Sequence, residues 1–300
     1  GLMLGDIMGS YFEFSSTGSK VVPSAKVLTD KTNVFGVRFG YTDDTILALL
    51  GMEALMASGH QYDQNLQFEF ARKYLQAETT WSPNGRCFDM GGSTRQSLTH
   101  GDWPAKRDES NSGNGVMMKL APYAWHRLIT QASQANSISY YREVADLTHG
   151  SQMTVDTAHQ LGTVLEALYL GVPWPCAYSL VSKEYPRYVD LPQYEYRGYS
   201  RDAMTLALWL MYQQYTWDDA LKFIMDLGGD TDTHAAIFGM LYGAAHPDEL
   251  VYRVREVAES IHEYQAVVCV LLQFVDQFGV AQANWIEASM SVYTNGIKSE

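Results

Sequence analysis

Apolar residues recur along this chain at the three- and four-residue spacing of one helix face, and that period constrains the fold more than any other feature. After Thr45, the residues Ile46, Leu49, Leu50 and Leu55 fall at helical spacing with polar positions between them. Leu161, Val164, Leu165 and Leu168 repeat the pattern after Thr157, as do Leu206, Leu208, Trp209 and Leu210 between Ala203 and Tyr212. Further helices are expected over Asp218–Leu227, after Thr233 through Ala236, Ile237, Met240, Leu241 and Ala244, and from Pro247 to Phe278 with a break near Tyr264. Strand signals are thin: Val34–Phe39 is the best candidate, with two glycines in or beside it. The pattern predicts an all-α class, a compact bundle-like domain over 1–300 with no linker or repeat. The stretches 15–41, 78–115 and 183–202 read as loops too long to be passive.

Composition excludes several classes. Hydrophobic residues make up 46% and charged residues 18%, enough apolar material for a large core and far from a disordered chain. The net charge of −13 keeps the chain soluble and suits a collector of cations, but it argues against nucleic acid, whose phosphates need clustered Lys and Arg. Cys87, Cys176 and Cys269 are odd in number and widely spaced, so neither a disulfide framework nor a cysteine zinc site is expected, and a reducing cytoplasm is the natural compartment. Apolar stretches such as Ala266–Leu272 are far short of a membrane span. The opening Gly1–Asp6 lacks the basic region of a secretory signal, and its missing initiator Met points to a processed or trimmed chain.

Three acidic segments read as helix starts. They are Gly5-Asp6-Ile7-Met8-Gly9 followed by Glu13, Tyr41-Thr42-Asp43-Asp44-Thr45, and Leu227-Gly228-Gly229-Asp230-Thr231-Asp232-Thr233. Asp and Thr at such positions are ordinary caps for backbone N–H groups. Hard cations use the same residue types, because magnesium and manganese prefer carboxylate, hydroxyl and water oxygens. Neighbours on a helix diverge by roughly 100°, so Asp43 and Asp44 are able to serve different ions. The pairs Asp43/Asp44 and Asp230/Asp232 are mutually repulsive, and no Lys or Arg stands near them in sequence. Cap and metal readings both remain open from these residues alone. An EF-hand is set aside because its Gly and late Glu are missing, and a phosphate loop because no Gly-Lys-Ser/Thr follows Gly228-Gly229.

Other candidates have two readings each. Asn114 between Gly113 and Gly115 is a turn residue by default, or part of a loop presenting N–H groups to a phosphate. Asp89, ahead of Gly91-Gly92, is by default a turn or cap residue, and His149 a capping or surface residue. Tyr185, Tyr188, Tyr194, Tyr196 and Tyr199, interleaved with Arg187, Arg197 and Arg201, form either a packed loop or a lid over an aromatic, phosphate-bearing ligand.

Taken in order, these segments resemble the ADP-ribosylglycohydrolase family, and most of all its members that act on arginine-linked ADP-ribose. The resemblance rests on Gly5-Asp6-x-x-Gly9-x-x-x-Glu13, Tyr41-Thr42-Asp43-Asp44-Thr45, Phe88-Asp89-Met90-Gly91 with Thr94, Ser112-Gly113-Asn114-Gly115-Val116-Met117, Thr148-His149-Gly150 and Gly228–Thr233 with Ala235, Ala236, Ile237, Gly239, Gly243 and Ala244. It implies an orthogonal all-α fold and two divalent cations, Mg2+ or Mn2+, at the base of a cleft. Thr42, Asp43, Asp44, Asp230, Asp232 and Thr233 would be the metal ligands, with Glu13 a further carboxylate at that site, as ligand or mobile gate. Asp89 would be an acid/base near the scissile bond, acting with Glu13 and Asp44 as the catalytic carboxylates. Ser112, Gly113, Asn114, Gly115 and His149 would contact pyrophosphate and ribose, and Tyr199 the adenine. The implied substrate is an ADP-ribosylated protein or an ADP-ribose-containing small molecule, handled by a monomer through hydrolysis of the N-glycosidic bond to arginine. Alternatives are an O-linked ADP-ribose hydrolase or a non-catalytic ADP-ribose binder. One departure stands out: the family usually carries an Arg within two residues of Met117, where Met118 and Lys119 stand here, and Lys cannot form a bidentate fork.

Overall fold

The computed structural model describes residues 1–59, 61–101, 108, 110–130, 137–185 and 198–278. In chain order the α-helices are α1 (Leu2–Gly9), α2 (Ala25–Leu28), α3 (Asp43–Ser58), α4 (Gln64–Leu75), α5 (Gly92–His100), α6 (Ala121–Thr130), α7 (Ser137–Asp146), α8 (Gln152–Tyr169), α9 (Trp174–Ser179), α10 (Ser200–Tyr212), α11 (Trp217–Leu227), α12 (Thr231–Ala245), α13 (Pro247–Arg255) and α14 (Tyr264–Phe278). Among the described residues there is no strand, only the isolated bridges Thr32–Arg38 and Gly113–Tyr199. The fold is all-α. No described helix is long and apolar enough to cross a membrane.

Helix α12 is the hub. It is apolar nearly all round, with Ala235, Ile237, Phe238 and Leu241 completely buried, as a helix enclosed by others must be. It packs against α1, α3, α8, α10, α11 and α13. The approach of α1 is close, because Gly1, Gly5 and Gly9 repeat at four-residue spacing and lay backbone against backbone. A Cβ on Gly5 would sit 2.1 Å from the Ala235 carbonyl oxygen, and one on Gly9 would sit 2.4 Å from the Asp232 Cα. This glycine stripe brings the first acidic segment of the sequence onto the last.

Two expectations need correcting. Val34–Phe39 is not a strand: the Asn33 Oδ1 accepts from the N–H groups of Phe35 and Val37, and Gly36 turns the chain at φ 77. A side chain competing for backbone donors dissolves the ladder. The first acidic segment is not a helix start, since Asp6 lies well inside α1. The break expected near Tyr264 is present: α13 ends at Arg255, a 3-10 turn follows at Ala258–Ser260, and α14 starts at Tyr264. The expected loops 15–41 and 78–115 carry the helices α2 and α5. Much of the Tyr/Arg segment, including Arg187, Tyr188, Tyr194, Tyr196 and Arg197, lies outside the described residues.

Candidate active site

Helices α4, α8 and α11 are capped by their own side chains, Asp63, Ser151 and Thr216. The starts of α3 and α12 are not: neither Thr42 nor Asp230 makes a side-chain cap. Their orphan N–H groups are satisfied from a distance. Asp6, reaching from α1, accepts from the N–H of Thr42 at 2.9 Å and of Thr45 at 3.0 Å, and from the hydroxyls of both. Glu13 accepts from the N–H of Thr231 at 2.6 Å and of Asp232 at 3.3 Å. Asp43, Asp44, Asp230 and Asp232 are therefore released from the capping duty that their positions suggest.

The released carboxylates converge. Oxygens of Asp6, Asp44 and Asp232 lie within 4.8 Å of one another, and so do oxygens of Glu13, Asp230 and Asp232. Asp232 belongs to both groups. Asp43 faces the cleft, while Asp44 is buried behind it beside Thr42, whose hydroxyl bonds Asp6 at 2.9 Å and Asp44 at 3.2 Å. The expected divergence of the two neighbours is what separates them.

Crowding these acids away from water is costly, and their proton affinities record it. Asp6 is pushed up to about 7 by burial and then by the Asp232 charge. Glu13 is pushed up to about 11 by burial, then by Asp232 and Asp230. Asp43 and Asp44 are likewise raised well above the carboxylate range, by burial first and neighbouring carboxylates second. Lys119 is the nearby cation, buried and itself lowered to about 8 because burial outweighs the pull of Asp43. Among the described residues, no Lys or Arg forms an ion pair with any of these acids. Asp44 Oδ1 and Asp232 Oδ2 are buried without a hydrogen-bond donor. Two oxygens in that condition within an all-oxygen donor set fit a hard divalent cation, which would neutralise the repulsion and fill both.

Above this floor lies a cleft of about 710 Å3. Glu13, Asp43, Asp89, Gly113, Asn114, Gly115, His149, Asp230, Asp232 and Thr233 line it; Thr42 and Asp44 are buried behind it, and Ser112 and Tyr199 stand outside its lining. Asp89 is held in a left-handed conformation at φ 56. Tyr74 clamps the preceding peptide, its hydroxyl donating to the Phe88 carbonyl and accepting from the Phe88 N–H. The Asp89 carboxyl is raised by burial first and by the charge of nearby Asp232 second. Such strain gathers at ligand-handling positions.

The Gly113–Gly115 loop is fixed from both sides. Asn114 donates from its N–H to the Gly198 carbonyl at 2.9 Å and from Nδ2 to Asp230 at 2.7 Å. His149 packs so tightly under the loop that a Cβ on Gly113 would meet its Nε2 at 2.9 Å and one on Gly115 its Cε1 at 3.0 Å. The His149 ring is paired through Nδ1 with the Thr148 hydroxyl at 2.8 Å and lowered to about 3, by burial first and by Lys119 second. The Ser112 hydroxyl donates to Ser151 at 2.8 Å, and the half-exposed Tyr199 caps α10.

Sequence reasoning passed over Asp6 as a site residue, although its motif was in view, because a carboxylate that caps another helix leaves no local signature. It also missed Phe14, Phe35, Thr94, Arg95 and Gly198, which line the cleft. Phe35 was hidden inside the strand candidate.

A profile of the ADP-ribosylglycohydrolase family matches residues 1–283. An ADP-ribosylarginine hydrolase Tri1 of Pseudomonas putida (strain GB-1) is 28% identical over 286 residues, covering 85% of this chain and 72% of the relative. The ADP-ribosyl-[dinitrogen reductase] glycohydrolase of Rhodospirillum rubrum is 25% identical over 257 residues, covering 82% of this chain and 83% of the relative. Among solved structures, an ADP-ribosylglycohydrolase-related protein complex superposes with a TM-score of 0.69 at 24% identity, covering 92% of this chain and 94% of that one, which establishes a shared fold.

Proposed function

Because this chain belongs to the ADP-ribosylglycohydrolase family, we propose that it is a hydrolase that removes ADP-ribose from arginine side chains with the help of two divalent cations, Mg2+ or Mn2+. The observation that carries the metal part is the pair of buried, donorless oxygens, Asp44 Oδ1 and Asp232 Oδ2, inside converging carboxylate groups. Thr42, Asp43, Asp44, Asp230, Asp232 and Thr233, with Asp6 and Glu13 beside them, would hold the ions. Bound there, the pair supplies Lewis-acid polarisation and charge neutralisation.

The chain's own groups do the rest. With the cations bound, Glu13, Asp43 and Asp232 would be ionised and would surround the cleft floor with negative charge suited to a ribose carbon taking on oxocarbenium character. Asp89, whose raised proton affinity keeps a proton at hand, is placed to move it to the leaving nitrogen. Balanced hydrolysis puts the water oxygen on the ribose carbon and returns arginine with the nitrogen protonated. The Gly113–Gly115 loop over His149 would receive the pyrophosphate, with Ser112 anchoring its base and the exposed Tyr199 ring at its edge for the adenine. The relatives named for arginine-linked substrates favour that linkage over an O-linked one. Three free cysteines fit a reducing cytoplasm.

The test is release of ADP-ribose from matched arginine-linked and serine-linked peptides, with magnesium or with chelator. Arginine-linked release that needs the cation is expected. Release from serine alone would select the O-linked reading, and binding of ADP-ribose without release from either peptide would select the binder.

A further inference from the structure

One stretch of the cleft wall is aromatic, and neither the carboxylates nor the Gly113–Gly115 loop uses it. Phe14 and Phe35 line the cleft, their rings meeting edge to face at 6.1 Å, and Phe35 leans on Phe88 at 5.4 Å. Phe14 is 73% exposed. A phenyl ring left in water forfeits the burial that ordinarily places it in a core. The ring is nonetheless held rather than loose: its backbone sits at φ 59, a left-handed conformation rare for a bulky residue. Its N–H donates to the Gly229 carbonyl at 2.9 Å, in the turn that leads into Asp230. An exposed, strained and anchored aromatic is the arrangement of a ligand clamp.

The chemistry of a ring face identifies the occupant. Phe14 and Phe35 line the same cleft as Asp43, Asp89, Asp230 and Asp232. An aromatic face attracts a cation through its ring quadrupole, whatever the ionisation of the acids nearby. Among biological cations the planar, weakly hydrated guanidinium suits a ring face best. We propose that Phe14 and Phe35 form the subsite for the leaving side chain, receiving the arginine guanidinium and thereby setting the preference for a cationic, planar leaving group over a hydroxyl. This rests on the hydrolase reading given above.

The experiment compares wild type, Phe14→Ala and Phe14→Trp on arginine-linked peptide in magnesium, beside calorimetric binding of ADP-ribose. Because Phe14 is exposed, the alanine variant keeps its fold, and retained ADP-ribose binding verifies that. Phe14→Ala should raise KM roughly 3- to 30-fold with kcat little changed, as loss of a cation–π contact does. Phe14→Trp should stay near wild type, and ADP-ribose affinity should be the same in all three. An unchanged KM in Phe14→Ala overturns the subsite. Parallel loss of ADP-ribose affinity also overturns it, because the rings would then hold the nucleotide. A wild type that binds ADP-ribose but releases nothing from the arginine-linked peptide overturns the hydrolase reading itself, a result distinct from both.

Discussion

At the scale of single residues, the site depends on Asp6 and Glu13 doing work that other side chains are positioned to do. By satisfying the first N–H groups of α3 and α12 from across the fold, they leave Asp43, Asp44, Asp230 and Asp232 with lone pairs to spare. His149 supports the other half of the cleft as a neutral ring. Its folded proton affinity lies near 3 while the unfolded chain takes up a proton near 6.5. The stabilisation is therefore complete above about pH 6.5 and is lost as the pH falls toward 3, where the unfolded state binds the extra proton. Between about pH 7.5 and about pH 5, wild type should lose about 2 kcal/mol relative to His149→Gln. Urea titrations of both proteins across that range check it, and parallel curves would contradict it. His149 was visible in the sequence through the Thr148-His149-Gly150 segment, but its place under Gly113 and Gly115 was not, because that contact depends on how α7 and the loop pack.

At the scale of elements, the decisive contact is α1 on α12. The helical period announced α3, α8, α10, α11 and α12, since each presents a long apolar face to the core. It was silent on α1, whose glycines carry no hydrophobic signal yet let its backbone lie against that of α12. Gly5→Ala would push a methyl group into the Ala235 carbonyl, which belongs to backbone and cannot swing aside. Overpacking of this kind costs about 1–3 kcal/mol. The displacement also separates Asp6 from Asp232, so the variant should melt earlier than wild type and gain less from added magnesium. Thermal melts with and without the cation measure both effects. The expected strand failed for the opposite reason: Val34–Phe39 has β-type residues, but Asn33 offers its backbone a local partner that outcompetes a sheet.

At the scale of the whole molecule, acids from three stretches of the chain far apart in sequence are brought to one buried point, with the buried cation Lys119 near them. The motifs were legible because their spacing is local. Their meeting was legible only through the family resemblance, since no rule of periodicity says which helix starts share a floor. The central claim is that divalent cations join these groups, and Asp232 is common to both of them. Calorimetric titration of manganese into wild type and Asp232→Asn tests it most directly. Two ions per chain for wild type and no tight binding for the variant are predicted. A wild type that binds none, or a variant that binds as wild type does, would contradict the account.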